Sequence, residues 1–170
     1  MKGPFLTGVE LTNARSFASG VSIELSEGVT VICAPNGVGK TTLFESFELA
    51  LTGGIKRLET GLSPFVRSGT RDTQVTISWS TTSGPRSRTV RVGSGSLVTA
   101  TGPLESLLGP TDAAALPYLL PLTHLFCQND ERWVVRADPK VAGISLDRLP
   151  IGRDGSTART ALGGAKNAAQ

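Results

Sequence analysis

Alternating hydrophobic and polar positions predict several short strands. In residues 21–25 every second side chain is apolar, and residues 73–80 alternate in the same way. This is the pattern of a strand with one buried face. Residues 5–12 are predicted to form another strand, and residues 88–92 are expected to pair with 73–80 as a β-hairpin across a turn at 81–87.

A second set of apolar positions predicts the centre of the fold. Residues 29–33 are a short, mostly apolar run, typical of a central strand covered on both faces. Apolar side chains at helical spacing then predict a helix from about residue 40 to residue 52, with Gly53 and Gly54 as its C-terminal stop. Residues 55–72 lack periodicity and are expected to be an irregular connection.

The last third of the chain has less to bury. Short helices are expected at 103–108 and 111–120, and an apolar strand at 122–127. Toward the C-terminus hydrophobicity falls, and residues 152–170 are rich in Gly, Ala, Arg and Lys. This tail is interpreted as a linker or a fraying helix.

The loop before the predicted helix carries the strongest chemical signal. It reads Ala34-Pro35-Asn36-Gly37-Val38-Gly39-Lys40-Thr41, a Walker A pattern with Ala at its first position. Glycines let the backbone wrap a phosphate closely, and the helix that follows aims its N-terminus at negative charge. Lys40 supplies a positive charge to the β- and γ-phosphates, and the Thr41 hydroxyl is a ligand for Mg²⁺. The sequence therefore predicts that ATP and Mg²⁺ bind to Asn36, Gly37, Val38, Gly39, Lys40, Thr41 and Thr42.

The composition says less about possible partners and cellular location than the loop says about the ligand. The net charge of +3 is too small to indicate a nucleic-acid partner, although it permits one. The two cysteines, Cys33 and Cys127, lack motif partners and are interpreted as free thiols, with Cys33 a small buried side chain. No signal peptide and no run of about 18 apolar residues are found, so a cytoplasmic protein without a membrane segment is expected.

Residues 34–45 resemble the Walker A segment of the SMC-like ABC ATPases. That group includes the chromosome-maintenance SMC proteins and the double-strand-break repair ATPase that partners a nuclease. Residues 13–17 are similar to the Arg-Ser-Phe element of these proteins, residues 65–69 to the segment with their arginine loop, and residues 125–128 to their Q-loop. Gln128 lies 88 residues after Lys40, farther than is usual in an ABC transporter domain.

The resemblance implies a fold and additional site residues. The fold is an α/β P-loop NTPase, the N-terminal lobe of an ABC-type ATPase head, with a mixed sheet and a β-hairpin over residues 1–150. Residues 151–170 would be a linker or the start of a coiled-coil helix. Gln128 is implied as a catalytic residue and, with Thr41, as a ligand of Mg²⁺. Arg15 and Arg67 are implied as nucleotide contacts.

The resemblance also implies how the protein works. A complete head needs a Leu-Ser-Gly-Gly signature and a Walker B strand ending in Asp-Glu, and neither is recognised in these residues. We therefore expect an N-terminal half-head that hydrolyses ATP only with a C-terminal lobe. Two heads would enclose two ATP molecules. DNA and a nuclease subunit are further implied partners, in DNA repair, chromosome maintenance or defence against foreign DNA.

Two other functions stay open from the sequence. A stand-alone P-loop kinase or transferase would need an acidic ligand for Mg²⁺ and an acceptor pocket. A non-hydrolysing module would only hold the nucleotide. Glu45 and Glu48 are interpreted as charges on the helix surface. The hairpin arginines are interpreted either as a basic edge for a phosphate backbone or as a solvated strand face; they are Arg86, Arg88 and Arg91.

Overall fold

The computed structural model describes residues 3–18, 20–58, 60–109 and residue 116. These residues belong to the unit Met1–Pro117. In chain order the elements are β1 Phe5–Thr12, β2 Val21–Glu24, α1 Lys40–Thr52, a 3₁₀ helix Ser63–Phe65, β3 Asp72–Thr81, β4 Gly84–Gly93, β5 Ser96–Thr101 and α2 Glu105–Leu108. The predicted strand at 122–127 and the tail lie outside the described residues.

The strands form one five-stranded sheet in the order β2-β1-β3-β4-β5, and all of its pairings are antiparallel. Val9 of β1 is opposite Ile77 of β3, and Val75 of β3 is opposite Val90 of β4. Directly opposed residues point to the same face of a sheet. All four side chains are buried, so this face is the core face. The predicted hairpin and the α/β class are confirmed.

Helix α1 packs against β3 and β4. Its buried side includes Leu43, Leu49 and Ala50. The helix ends where the sequence predicted, because Gly53 adopts a left-handed conformation (φ 79°) and its N–H donates to the carbonyl of Leu49 at 2.8 Å. No helix among the described residues is long and apolar enough to cross a bilayer.

The hairpin strands are longer than the sequence indicated, and a fifth strand was missed. The turn between β3 and β4 contains only residues 82 and 83, not the seven residues 81–87. Ser94 and Gly95, both with positive φ (53° and 80°), then turn the chain into β5. This pair suits a tight two-residue hairpin turn. All six residues of β5 are exposed, so the strand has no alternation that sequence periodicity detects.

The predicted central strand at residues 29–33 is wrong for the described part of the chain. These residues form no strand, and every residue from 26 to 38 is exposed. Val29 and Val31 are 85% and 76% exposed, and the Cys33 thiol is exposed rather than buried. The apolar run indicates a segment whose side chains favour burial, but it does not identify the element against which they would pack.

The hairpin arginines do not form one basic edge. Arg88 lies on the core face, where its guanidinium donates to the carbonyls of Ala50 and Gly102, each at 2.7 Å. Burial lowers the pKa of Arg88, and the charge of Glu105 partly opposes that shift. Arg91 lies on the opposite face in an ion pair with Asp72. Arg86 is exposed.

Candidate functional site

The loop before α1 depends on two glycines with positive φ. Gly37 has φ 88° and Gly39 has φ 108°, a region that side chains with a Cβ rarely adopt. A Cβ on Gly37 would meet nothing within 4 Å. A Cβ on Gly39 would lie 2.7 Å from the Oγ of Ser16 and 2.8 Å from the ring of Phe17. Gly39 therefore provides both an unusual backbone angle and close packing against the turn at residues 13–17.

The N-terminus of α1 opens toward this loop. The first intrahelical bond joins the N–H of Leu43 to the carbonyl of Gly39 at 2.9 Å. Among the described residues no side chain caps the N-terminus, and the first turn contains no acidic residue. The first N–H groups of a helix have no partner within it and carry a partial positive charge. The end of α1 can therefore bind an anion.

The side chain of Lys40 folds back onto the loop that precedes α1. Its Nζ donates to the carbonyl of Ala34 at 2.5 Å and to that of Pro35 at 2.8 Å. The side chain thus holds its charge at the concave side of the loop. An ammonium has three donors and rotates freely, so it can exchange a carbonyl for a phosphate oxygen.

The loop and the helix end border a cavity of about 340 Å³. Thr41 is exposed and Thr42 is buried at its wall. Six predicted nucleotide contacts from the Walker A region and α1 meet here with Arg15 and Ser16: Asn36, Gly37, Gly39, Lys40, Thr41 and Thr42. Val38 is not among the lining residues, and its side chain is 50% exposed.

Arg15 reaches this cavity from the turn between β1 and β2. Asn13 and Arg15 both have positive φ, 55° and 46°, which is rare for residues other than glycine and marks local strain. The N–H of Arg15 donates to the carbonyl of Phe65 at 3.1 Å, and the N–H of Arg67 donates to that of Asn13 at 2.8 Å. The conformation is therefore imposed by the segment at residues 63–67.

Arg67 holds the turn by its side chain as well. Its guanidinium donates to the carbonyl of Ser16 at 2.9 Å and to that of Arg15 at 3.3 Å. Arg67 does not line the described cavity. A direct nucleotide contact by Arg67 stays a prediction, and the observed contacts place its guanidinium on the backbone beside the cavity.

The buried acid Glu45 was missed by sequence reasoning. It was interpreted as a surface charge, but its side chain is only 5% exposed and is paired with Arg15 and Arg57. A signal was present: Glu45 is spaced three residues after Thr42 and four before Leu49, on one face of α1 with two other buried residues. An acid at such a position needs a charged partner, which sequence periodicity does not identify.

The described residues contain part of the predicted metal site. Thr41 lies at the cavity, while Gln128, the predicted catalytic residue and second ligand, lies outside the described residues. The described part of the chain holds no group of three His, Cys, Asp or Glu side chains that suits a metal ion. The cradle itself suits a phosphate, because it combines backbone donors, a helix N-terminus and the ammonium of Lys40.

Comparisons with known proteins identify a family and two relatives by sequence. The sequence profile of the AAA domain family matches residues 9–105. The chain is 39% identical over 66 residues to the DNA replication and repair protein RecF of Paenarthrobacter aurescens, covering 39% of the chain and 16% of RecF. It is 49% identical over 43 residues to the DNA double-strand break repair Rad50 ATPase of Methanopyrus kandleri, covering 25% of the chain and 5% of that protein.

A solved structure shares the fold. The recombination mediator protein RecF with ATPrS, of the RecFOR pathway, superposes with a TM-score of 0.52 at 20% sequence identity. The superposition covers 59% of this chain and 27% of that RecF chain. The chain thus spans less than a third of the length of each of these three proteins.

Proposed function

Because this chain belongs to the AAA domain family and forms the N-terminal region of an SMC-like ABC ATPase head, we propose that it binds ATP with Mg²⁺ and hydrolyses it only together with a C-terminal lobe. One observation carries the binding part of this proposal. The loop, the open end of α1 and the Nζ of Lys40 converge on a single cavity of about 340 Å³. We assign the phosphates of ATP to this cavity.

Each group of the cradle has a distinct task. Backbone N–H groups of the loop and of the first turn of α1 bind phosphate oxygens, and the helix dipole favours their negative charge. Lys40 leaves the carbonyls of Ala34 and Pro35 for the β- and γ-phosphates. Arg15 supplies a second cation at the wall of the cavity. Mg²⁺, when bound, would offset further phosphate charge, with Thr41 and Gln128 as its predicted ligands.

The second part of the proposal is the need for another lobe. Hydrolysis requires a residue that positions the attacking water as well as groups that hold the phosphates. The exposed apolar run at residues 29–33, directly before the loop at 34–39, supports a contact between this segment and that lobe. A strand from the C-terminal lobe would cover Val29 and Val31 and bring the signature and Walker B residues to the nucleotide. Two such heads would then pair around ATP.

DNA repair is the setting we propose. RecF is described as a DNA replication and repair protein, and Rad50 as a double-strand break repair ATPase. By analogy, paired heads of this protein would act on DNA, with a nuclease subunit as a further partner. A cytoplasmic location is proposed on the same basis.

Calorimetric titration with ATP and Mg²⁺, combined with a phosphate-release assay, tests this function. The chain should bind ATP, Lys40→Ala should bind it at least about tenfold more weakly, and phosphate release by the chain alone should stay at background. Adding a C-terminal lobe with signature and Walker B motifs should restore hydrolysis cooperatively with protein concentration. Turnover at an ordinary rate by the chain alone, lost in Lys40→Ala, would instead support a self-sufficient enzyme such as a P-loop kinase.

A further inference from the structure

Glu45 is a buried carboxylate held between two arginines. Its Oε2 lies 2.5 Å from an NH group of Arg15, in an ion pair without hydrogen-bond geometry. Its Oε1 accepts from the Nε of Arg57 at 2.8 Å and lies 2.6 Å from a second nitrogen of that guanidinium. The two arginines differ in setting, because the side chain of Arg15 is 23% exposed and that of Arg57 is 58% exposed.

Only one of these arginines is at the phosphate cavity. Arg15 lines it, and Arg57 does not. The guanidinium of Arg15 is also held by the carbonyl of Pro64, which accepts from its Nε at 2.9 Å, and by the ring of Phe65, whose centroid is 5.6 Å away. Glu45 adds the third contact, from the side of α1. Together these contacts fix both the position and the plane of the guanidinium.

We propose that Glu45 is a positioning residue that holds Arg15 in place for the phosphates of the bound nucleotide. An unrestrained arginine side chain loses much rotamer freedom on binding a ligand, and a preorganised one loses less. Glu45 provides this restraint without cancelling the charge. Two guanidinium groups share one carboxylate, so the cluster keeps a net positive charge beside the cavity. The inference rests on the proposed nucleotide site.

Electrostatics alone and positioning predict opposite effects of removing the charge of Glu45. A neutral side chain at this place makes the surroundings of the cavity more positive, which by Coulomb attraction favours an anionic ligand. Loss of positioning weakens ATP binding instead, because the guanidinium of Arg15 is no longer preorganised in the orientation that contacts the phosphates. The sign of the change in ATP affinity therefore separates a positioning residue from a buried ion pair that only stabilises the fold.

The experiment is a double-mutant cycle measured by calorimetric titration of ATP, with thermal unfolding as the check on folding. Glu45→Gln should weaken ATP binding about tenfold, the scale of a charge-assisted contact. In an Arg15→Ala background the same substitution should cause no further weakening. Arg57→Ala is the matched control, because it removes the other arginine of the same carboxylate, and it should change affinity by less than about twofold.

Several results would overturn the inference. Unchanged or tighter ATP binding by Glu45→Gln would reduce Glu45 to a structural ion pair, and unchanged binding by Arg15→Ala would remove Arg15 from the site. Glu45→Asp covers the case in which the Gln variant does not fold. It keeps the charge but is one methylene shorter, so weaker binding is again expected, and unchanged binding counts against positioning. A wild-type chain that binds no ATP would refute the proposed function itself, and this inference with it.

Discussion

Gly39 and Phe17 approach each other so closely that a Cβ on Gly39 would lie 2.8 Å from the aromatic ring. The phosphate loop therefore packs directly on the turn that carries Arg15. The two segments are separated in sequence by β2, and both contribute lining residues to one cavity. A change at their contact should affect the fold and the nucleotide site together.

Gly39→Ala should lower the free energy of unfolding by about 2–4 kcal/mol, from the left-handed φ and the clash with Ser16 and Phe17 combined. Gly69→Ala is the control, because Gly69 also has positive φ (82°) but has open space around it. It should cost only about 1–2 kcal/mol. Urea unfolding measures both. Equal losses would show that the contact with Phe17 is unimportant.

Lys40→Ala should weaken ATP binding by at least about tenfold, because a charge-assisted contact to phosphate is lost. Lys40→Arg should fail as well, since a planar fork does not replace a compact ammonium. Arg71→Ala, which removes a positive charge from an exposed residue that does not line the cavity, is the control. If Arg71→Ala weakened binding as much as Lys40→Ala, net charge and not the loop would determine affinity. Calorimetric titration with ATP and Mg²⁺ compares all three variants.

Arg88→Ala should destabilise the fold by about 1–3 kcal/mol, because the carbonyls of Ala50 and Gly102 lose their donor. Arg91→Ala should stay within about 0.5 kcal/mol, because its ion pair with Asp72 is exposed. Urea unfolding again measures the difference. Equal effects would contradict the assignment of the two arginines to opposite faces. A variant in which Arg86, Arg88 and Arg91 are all replaced by alanine would therefore lose stability as well as positive charge. Single substitutions of Arg86 and Arg91 are the cleaner test of DNA binding.

Val31→Asp should leave the stability of the isolated chain within about 0.5 kcal/mol, because the side chain is 76% exposed. Val75→Ala, in the fully buried core, should cost about 1–3 kcal/mol. The same Val31→Asp variant should prevent a C-terminal lobe from restoring hydrolysis. Thermal unfolding and a phosphate-release assay check the two parts. Full restoration of hydrolysis would exclude residues 29–33 as the contact with that lobe.

The sequence by itself determined those features that depend only on residues close together in the chain. The backbone turn at Gly37 and Gly39, the span of α1 and the buried face of β3 were all correctly predicted. Each depends on a short-range rule. Glycine adopts a left-handed φ without steric cost. Apolar residues at a period of about 3.6 indicate a helix, and apolar residues at every second position indicate a strand with one buried face. The Walker A pattern, even with Ala34 at its first position, also indicates the class of ligand, because its spacing of Gly, Lys and Thr suits a bound phosphate.

Tertiary structure decided what each face meets. Sequence periodicity placed Glu45 on α1, but only the fold brought Arg15 and Arg57 to it and so changed a surface charge into a buried one. It likewise put Arg88 and Arg91 on opposite faces of β4 and left the apolar run at 29–33 exposed. The physical reason is that burial and charge pairing depend on contacts between distant segments. A local pattern indicates that an apolar side chain favours burial or that a buried charge requires an opposite charge. The packing of distant segments determines whether either is supplied.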